Sequence, residues 1–304
     1  MKSWAFISSK HCDPAARKGR RPSHQAAIAR ATACLPKRRE FLVHLDPACA
    51  CFRPQVRSPC GVKPVLNALL IDTVEYPPEW TEEAVLAEWF GSFRETLGPV
   101  SLSCVAASDP ECAVRARAAD AIILTGSARD AHSMEPAVIQ LCGTLRELSA
   151  AGKAILGICF GHQVLARALG GEVGRHPAGW EVGSVRITLT PEGLACPVLM
   201  DLGLEPEVLQ SHQDAVLSLP PGAVRLAGNA HTPVQAFQSC PGGRQFGVQF
   251  HPEFTPERLQ RNWSQRRLEW QGRTAFDLDA ALDEARPTPH TASLFRRFFE
   301  FATG

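Results

Sequence analysis

The sequence predicts an α/β fold with a doubly wound, mostly parallel sheet and an additional region of short strands nearer the C-terminus. Between residues 65 and 169, short apolar runs alternate with segments whose apolar residues recur at helical spacing. Repeated β-α units of this kind bury a parallel sheet between helices. From residue 181 onwards the apolar runs become shorter, and Pro and Gly turns separate them.

The first strand is expected over Val65–Ile71, a continuous apolar run that ends at Asp72, as in a parallel strand buried on both faces. A helix is predicted over Thr81–Leu97, where apolar residues follow a helical period and Thr81 can cap the N-terminus. The other strands of this half are predicted at Val100–Ala106, Ala121–Leu124 and Ala154–Ile158. The other helices are predicted at Ala113–Ala119, at Met134–Ala151 and from about His162 to Leu169.

The second half is predicted to hold shorter strands and two closing amphipathic helices. The strands are expected at Val182–Leu189, Val208–Gln210, Arg225–Ala227, Val234–Ala236 and Gln245–Phe250. The helices are expected near Pro256–Glu269 and Thr291–Phe301. We find no internal repeat in the sequence.

Composition favours a cytoplasmic enzyme-sized domain over a membrane or secreted protein. The chain has 304 residues, 45% of them hydrophobic, which is enough for a well-buried core. No run approaches the roughly 18 consecutive apolar residues that a membrane helix needs, and the start has no secretory apolar segment. The 11 cysteines are odd in number and have no framework spacing, which is typical of reduced thiols in the cytoplasm.

Residues 1–61 are interpreted as a basic extension ahead of a domain at 62–304. The first 63 residues carry 13 Lys and Arg against 3 acidic residues, whereas the rest of the chain is net acidic. A disordered tail, a mitochondrial transit peptide and a nucleic-acid-binding arm all share this composition. We favour a fourth interpretation, a mis-assigned start, because the change in charge coincides with Val62, which a GTG start codon would specify.

Four residues of the extension raise the question of a zinc site: His44, Cys49, Cys51 and Cys60. Their spacing matches no standard zinc finger. We therefore predict no metal in this protein.

Cys159 is the candidate nucleophile. It lies between the predicted strand Ala154–Ile158 and a predicted helix, with Gly157 two residues before it and Gly161 two residues after it. This is the pattern of a nucleophile elbow, with Cys in the place of Ser. The following helix N-terminus favours a thiolate, and the N–H of Phe160 can stabilise an oxyanion.

The other cysteines of the domain are expected to be buried core residues. They are Cys104, Cys112, Cys142, Cys196 and Cys240.

His251 and Glu253 are the candidate base and the group that orients it. Residues two apart on an extended segment point to the same side, so Glu253 can reach one ring nitrogen while the other faces the thiol. His162, His212 and His231 are rival bases. The pair of His212 with Asp214 is the second choice, because only there does an acid follow a rival histidine by two residues.

These residues stand in motifs that resemble the class I glutamine amidotransferase domain, most closely the stand-alone group similar to GMP synthetase. The two main motifs are Gly157–Gln163 and Gly247–Glu253. Three further segments are similar and occur in the family's order: Ile123–Ser127, Ser211–Val216 and Leu219–Ala223. The resemblance covers roughly 65–254 and implies a flavodoxin-like fold.

The resemblance implies hydrolysis of a γ-glutamyl amide without a metal or an organic cofactor. The Cys159 thiolate would attack the γ-carboxamide carbon of glutamine, and the resulting thioester would be hydrolysed by water. Gly126 would supply a second oxyanion-hole N–H beside that of Phe160. Gln163 would help to hold the substrate. Ser211, Gln213 and Asp214 would line the pocket for the α-amino and α-carboxylate groups.

The sequence departs from the family pattern at the segment Thr125–Ala128, where the family often has paired glycines. The group with a Thr-Gly-Ser segment includes γ-glutamyl peptidases that act on glutathione-like substrates. There is also no synthetase domain and no phosphate-binding glycine-rich loop, so an ammonia acceptor would be a separate protein.

Three interpretations therefore stay open. They are an amidotransferase glutaminase, a γ-glutamyl peptidase and a catalytically silent regulatory module. Neither a membrane nor a nucleic acid is the expected partner.

Overall fold

The computed structural model describes residues 65–304, apart from residues 75, 78 and 265. The predicted boundary at Val62 and the four residues considered for zinc lie outside the described residues. Each helix among the described residues is too short or too polar to span a membrane.

The described residues form twelve strands. In chain order they are β1 (Leu66–Asp72), β2 (Val100–Ala106), β3 (Ala121–Leu124), β4 (Ala154–Ile158), β5 (Glu172–Arg175), β6 (Glu181–Arg186), β7 (Thr188–Leu189), β8 (Glu207–His212), β9 (Asp214–Ser218), β10 (Val224–Gly228), β11 (Ala236–Gln238) and β12 (Gln245–Val248).

The same residues form nine α-helices. They are α1 (Glu82–Phe90), α2 (Cys112–Ala118), α3 (Pro136–Ala150), α4 (Phe160–Ala168), α5 (Pro191–Ala195), α6 (Pro256–Trp263), α7 (Arg267–Trp270), α8 (Leu278–Asp283) and α9 (Ser293–Thr303).

A central sheet of eight strands has the order β2-β1-β3-β4-β12-β11-β10-β7. Its first five strands are parallel, and the last three are added in antiparallel orientation. Two small antiparallel sheets, β5–β9 and β6–β8, complete the fold. This confirms the predicted doubly wound, mostly parallel sheet with an additional region of short strands.

The parallel strands bring three chain segments to one edge of the sheet. In register, Gly157 of β4 lies opposite Leu124 of β3 on one side and Gly247 of β12 on the other. The residues that follow these strands therefore meet at their carboxyl ends, where open α/β sheets bind ligands.

Helices cover both faces of the parallel strands, so β1 is buried on both sides. Leu70 packs in the cluster that contains Phe90 of α1 and Phe298 of α9. Its neighbour Leu69 packs in the opposite cluster with Leu145 of α3. A strand between two apolar layers needs apolar residues on both faces, which explains the apolar run Ala68–Ile71 that follows the exposed Asn67.

Two predicted helices were wrong in length because aromatic packing interrupts them. The helix predicted over Thr81–Leu97 ends at Phe90, and the turn that follows stacks Phe93 on Phe295 at 5.2 Å between ring centroids. The helix predicted over Pro256–Glu269 is split into α6 and α7.

The split lies beside a tryptophan cluster. The ring of Trp180 lies 4.9 Å from that of Trp263 in α6 and 5.3 Å from that of Trp270 in α7. The break between the helices allows both rings to contact Trp180.

Four of the five cysteines predicted to be core residues are buried. Cys240 is the exception, because it is only partly buried in the loop after β11.

Candidate active site

Cys159 occupies a sharp turn between β4 and α4. Its φ is +51° and its ψ is −106°, and no other described non-glycine residue has a positive φ. Surrounding contacts must hold such a strained conformation in place. Glycines make the turn possible, because a Cβ on Gly157 would lie 2.4 Å from the Gly161 carbonyl oxygen. A Cβ on Gly161 would lie 2.6 Å from the Leu124 carbonyl oxygen.

The helix after Cys159 begins at Phe160, two residues before the predicted start, so Cys159 is its N-cap. The first N–H groups of a helix have no partner within the helix, and they give its N-terminus a partial positive charge. That partial positive charge therefore lies beside the thiol of Cys159.

His251 and Glu253 form a buried pair beside Cys159. The Nδ1 of His251 lies 2.7 Å from Oε1 of Glu253, and both side chains are almost fully buried. Phe254 stacks on the imidazole at 3.9 Å between ring centroids. The orientation of the ring is thus fixed by the carboxylate at one edge and by an aromatic face.

The surroundings of His251 favour a charged imidazolium. Its Nε2 is buried without an oxygen or nitrogen partner among the described residues. Burial disfavours the cation, but the charge of Glu253 and the charge and hydrogen bond of Cys159 outweigh it and raise the pKa of His251 above its ordinary value. The imidazolium of His251 is therefore stabilised from two sides, by Glu253 and by Cys159.

Gly126 lies against the side chains of both His251 and Cys159. A Cβ on Gly126 would lie 2.9 Å from Cε1 of His251 and 3.5 Å from Cβ of Cys159. The preceding carbonyl, that of Thr125, accepts hydrogen bonds from the Gly161 N–H at 3.1 Å and from the Thr73 hydroxyl at 3.2 Å. In a trans peptide the Gly126 N–H points away from these two donors, so its direction is fixed in advance.

The predicted substrate-pocket residues lie in and beside the turn between β8 and β9. The carbonyl oxygen of Ser211 lies 3.9 Å from Sγ of Cys159. The side-chain oxygen of Gln213 accepts from Arg175 at 2.6 Å, and the Asp214 carboxylate lies 3.4 Å from Arg175 and 3.1 Å from His132. This wall of the cleft, which we call the mixed-charge wall, carries both signs of charge.

Gln163 lines the cleft, but its side-chain amide is bonded within the protein. It is buried, and its amide nitrogen donates to the carbonyl oxygen of Asp214 at 2.7 Å and to Oε1 of Gln249 at 3.1 Å. These bonds tie α4 to the turn that holds the predicted pocket residues.

The second-choice pair of His212 with Asp214 was wrong. The Nε2 of His212 lies 2.9 Å from the Glu181 carboxylate, and its Nδ1 lies 2.9 Å from the Asp214 carbonyl rather than its carboxylate. His231 also lies near Glu181. His162 is fully buried against Gly247, and burial lowers its pKa to about 3. These three histidines are structural.

The cleft above Cys159 has a volume of about 510 Å³ and is lined by several residues that the sequence reasoning missed. They are Tyr76, Trp80, Arg175, Trp180, Arg258, Arg261 and Arg266. The density of Arg and Trp in residues 258–270 was the available signal for three of them, because these residue types are enriched where proteins bind ligands and partners.

Comparison with known proteins identifies a matching family and several relatives. The profile of the family described as glutamine amidotransferase class-I matches residues 96–269. The chain is 33% identical over 142 residues to γ-glutamyl peptidase 5 of Arabidopsis thaliana, which covers 46% of this chain and 56% of the peptidase. It is 39% identical over 150 residues to the glutamine-hydrolysing GMP synthase of Parafrankia sp. (strain EAN1pec), which covers 47% of this chain and 25% of the synthase. The chain thus matches little more than half the length of the peptidase and a quarter of the synthase.

Among solved structures, the fold is similar to that of a glutamine amidotransferase from Thermotoga maritima. The TM-score is 0.61 at 21% identity, with 79% of this chain and 98% of that one covered. A glutamine amidotransferase from Methylobacillus flagellatus gives a TM-score of 0.57 at 23% identity, with 79% and 93% covered.

Proposed function

The chain belongs to the class I glutamine amidotransferase family, and from that premise we propose that it hydrolyses a γ-glutamyl amide with Cys159 as nucleophile, His251 as acid and base, and Glu253 as the orienting group. The observation that carries this proposal is the geometry of the turn at Cys159. Its strained backbone, the adjacent helix N-terminus and the buried 2.7 Å contact between His251 and Glu253 are the features that a nucleophile, base and orienter require.

In the proposed acylation step, the Cys159 thiolate attacks the amide carbon and the carbonyl electrons move onto oxygen. When the tetrahedral intermediate collapses, the carbon–nitrogen bond breaks and the leaving amine takes a proton from the His251 imidazolium. A γ-glutamyl thioester and free ammonia, or a free amine, result.

In the proposed hydrolysis step, neutral His251 takes a proton from water as the water oxygen attacks the thioester. The carbon–sulfur bond breaks, the γ-carboxylic acid leaves, and the thiolate and imidazolium are restored. The raised pKa of His251 suits both steps. In acylation the ring holds the proton that the leaving amine takes, and in hydrolysis the neutral ring takes a proton from water.

The N–H groups of Gly126 and Phe160 are the proposed oxyanion donors. The bonds that the Thr125 carbonyl accepts fix the Gly126 peptide before substrate arrives, and the Phe160 N–H belongs to the first turn of α4. Donors held in advance avoid reorganisation during the reaction, and each contributes about 3 kcal/mol in comparable sites.

The mixed-charge wall is the proposed pocket for the α-amino and α-carboxylate groups of the substrate. Asp214 offers a buried carboxylate for the amino group, and Arg175 with the polar groups of Ser211 and Gln213 offers partners for the carboxylate. Gln163 supports this pocket through the Asp214 backbone.

A γ-glutamyl peptidase is the second candidate, and the open cleft favours it. A volume of about 510 Å³ leaves room for a leaving group larger than ammonia beside the γ-glutamyl group. If the substrate is glutamine instead, a separate synthetase is the proposed ammonia acceptor.

Glutamate release from glutamine and from glutathione by one preparation of the purified chain tests the proposal. We expect release from at least one substrate, loss of release in Cys159→Ala, and a γ-glutamyl adduct on the peptide that contains Cys159. Absence of release and of adduct from the folded wild-type chain would favour the silent regulatory module.

A further inference from the structure

Arg266 lies in the cleft, a few contacts away from the nucleophile. It is the N-cap residue of α7, and its guanidinium lies over the ring of Trp263, the last residue of α6, at 4.9 Å from the ring centroid. The indole N–H of Trp263 donates to the Ser211 hydroxyl at 3.0 Å, and the Ser211 carbonyl oxygen lies 3.9 Å from Sγ of Cys159. Trp263 therefore holds the guanidinium beside the position that a reacting amide would occupy.

The charge of Arg266 lacks an ion-pair partner among the described residues, unlike the other arginines of the cleft. Arg258 and Arg261 both pair with Glu88, at 3.1 Å and 2.5 Å, and Arg175 pairs with Asp130 at 2.8 Å. For Arg266 the closest polar contact is the Asn262 carbonyl oxygen at 3.4 Å, near the limit for a hydrogen bond.

Arg266 is also removed from much of the solvent. Burial lowers the pKa of its guanidinium, while the Cys159 thiolate and then Glu269 oppose that effect. A partly buried cation without a partner carries a desolvation cost that an anionic ligand would offset.

The two charged walls of the cleft suit different parts of a substrate. The mixed-charge wall can hold a zwitterion, because Asp214 and Arg175 offer both signs. The other wall, which we call the arginine wall, carries Arg258, Arg261 and Arg266. The Glu88 carboxylate beside it is already paired with the first two. The arginine wall therefore suits a group that carries only negative charge, such as a carboxylate.

We propose that Arg266 binds a carboxylate on the leaving-group side of the substrate, so that the preferred substrates are γ-glutamyl peptides with a free carboxylate rather than glutamine. The guanidinium offers a planar fork that matches a carboxylate through two hydrogen bonds. This inference rests on the proposed γ-glutamyl hydrolysis and adds the leaving-group specificity.

Two chromogenic substrates that differ by one carboxylate test this inference. They are γ-glutamyl-4-nitroanilide and γ-glutamyl-3-carboxy-4-nitroanilide. We expect wild type to have a kcat/KM about tenfold or more higher for the carboxylated substrate, as one charge-assisted interaction provides. In Arg266→Gln, kcat/KM should fall for the carboxylated substrate and stay unchanged for the other, so that the preference is lost. Arg266→Lys should keep part of the preference.

Arg261→Gln is the matched control, because Arg261 lies on the same wall and is already paired with Glu88. It should retain the preference for the carboxylated substrate. Equal activity of wild type on both substrates would overturn the inference. An equal loss of kcat/KM on both substrates in Arg266→Gln would mean that Arg266 binds the α-carboxylate or supports the fold. That result would also overturn the inference.

Alkylation of Cys159 gives a readout that needs no turnover. Iodoacetate is anionic and iodoacetamide is neutral, so the ratio of their rates at Cys159 reports how strongly the cleft attracts a carboxylate. We expect Arg266→Gln to lower this ratio and Arg261→Gln to leave it nearly unchanged. An unaltered ratio in Arg266→Gln would count against the inference.

The two assays separate the possible failures. If wild type hydrolyses neither anilide, glutamine nor glutathione, the proposed function fails and the specificity inference fails with it. If wild type hydrolyses the anilides without preference and the alkylation ratio does not respond to Arg266, only the specificity inference fails.

Discussion

The turn that holds Cys159 and the arginine wall that faces it differ in how their residues are fixed. At the turn, backbone contacts decide the geometry, because added Cβ atoms at Gly157 and Gly161 would meet backbone at 2.4 Å and 2.6 Å. At the arginine wall, side chains hold one another, as Trp263 does for Arg266 and Glu88 does for Arg258. Backbone leaves few alternatives to glycine, whereas side-chain contacts tolerate exchange. We therefore expect the turn to determine the reaction and the wall to determine the substrate.

The largest effect is expected from Cys159→Ala. Removal of the thiol abolishes covalent catalysis, so kcat should fall by about 10⁴-fold or more. Ala keeps the backbone and the Cβ of Cys159 and removes only the sulfur, so the melting temperature should change little. Activity measured beside thermal unfolding checks this. Residual turnover near that of wild type would move the nucleophile to another residue.

Gly126→Ala is expected to be the next most damaging change. Its Cβ would approach the His251 ring at 2.9 Å, and that ring is held by Glu253 and by the stacked Phe254. The clash should displace the imidazole or the Gly126 N–H, with a loss of about 10²- to 10³-fold in kcat.

Gly143→Ala is the matched control for that change. Gly143 lies within α3, and a Cβ there would have nothing within 4 Å. The substitution should leave activity unchanged and stabilise the fold by about 0.5–1 kcal/mol, measured by denaturant unfolding. If Gly126→Ala behaved in the same way, backbone geometry beside the nucleophile would not control the reaction.

Glu253→Gln is expected to lower kcat by about a hundredfold, because packing against Phe254 still holds the ring in part. It should also change the pH profile. The Glu253 charge raises the pKa of His251, and the imidazolium is lost as pH rises through that raised value. Removal of the charge should therefore shift the alkaline limb of kcat/KM to lower pH.

A pH series with the two proteins checks the sign of this shift. The wild-type alkaline limb should lie above the ordinary pKa of histidine, and that of Glu253→Gln should lie closer to it. A shift to higher pH, or equal limbs with reduced kcat, would mean that Glu253 acts through packing rather than charge.

The sequence predicted the turn better than the arginine wall because the signals for the turn are local. β2, β3 and β4 were predicted with the bounds that the structure has. β3 and β4 are buried at every position, which gives them continuous apolar runs. Cys159, with its flanking glycines, and the pair of His251 with Glu253 are local patterns. Local patterns can be recognised in a sequence without knowledge of the tertiary fold.

The missed elements depend on contacts between distant parts of the chain. β5 and β9 pair only with each other, and their exposed positions weaken the apolar pattern. The bond of His212 to Glu181 joins residues 31 apart in sequence, and that of Trp263 to Ser211 joins residues 52 apart. No spacing rule in the sequence indicates these partners.

The smallest effect is expected from deletion of residues 1–61, so that the chain begins at Val62. All the residues proposed here for catalysis and specificity lie beyond this point, as do the apolar clusters around the central sheet. We expect the shortened chain to keep kcat/KM and to unfold in a single cooperative transition. Loss of that transition would show that the extension contributes to the stability of the domain.

The same deletion distinguishes the interpretations of the basic extension. A nucleic-acid-binding arm would give the full chain an affinity for DNA that falls steeply with salt, and the shortened chain would lack it. We expect no such difference. A salt-dependent affinity confined to the full chain would support the nucleic-acid-binding arm and leave the comparison of the Cys159 turn with the arginine wall intact, since neither includes residues 1–61.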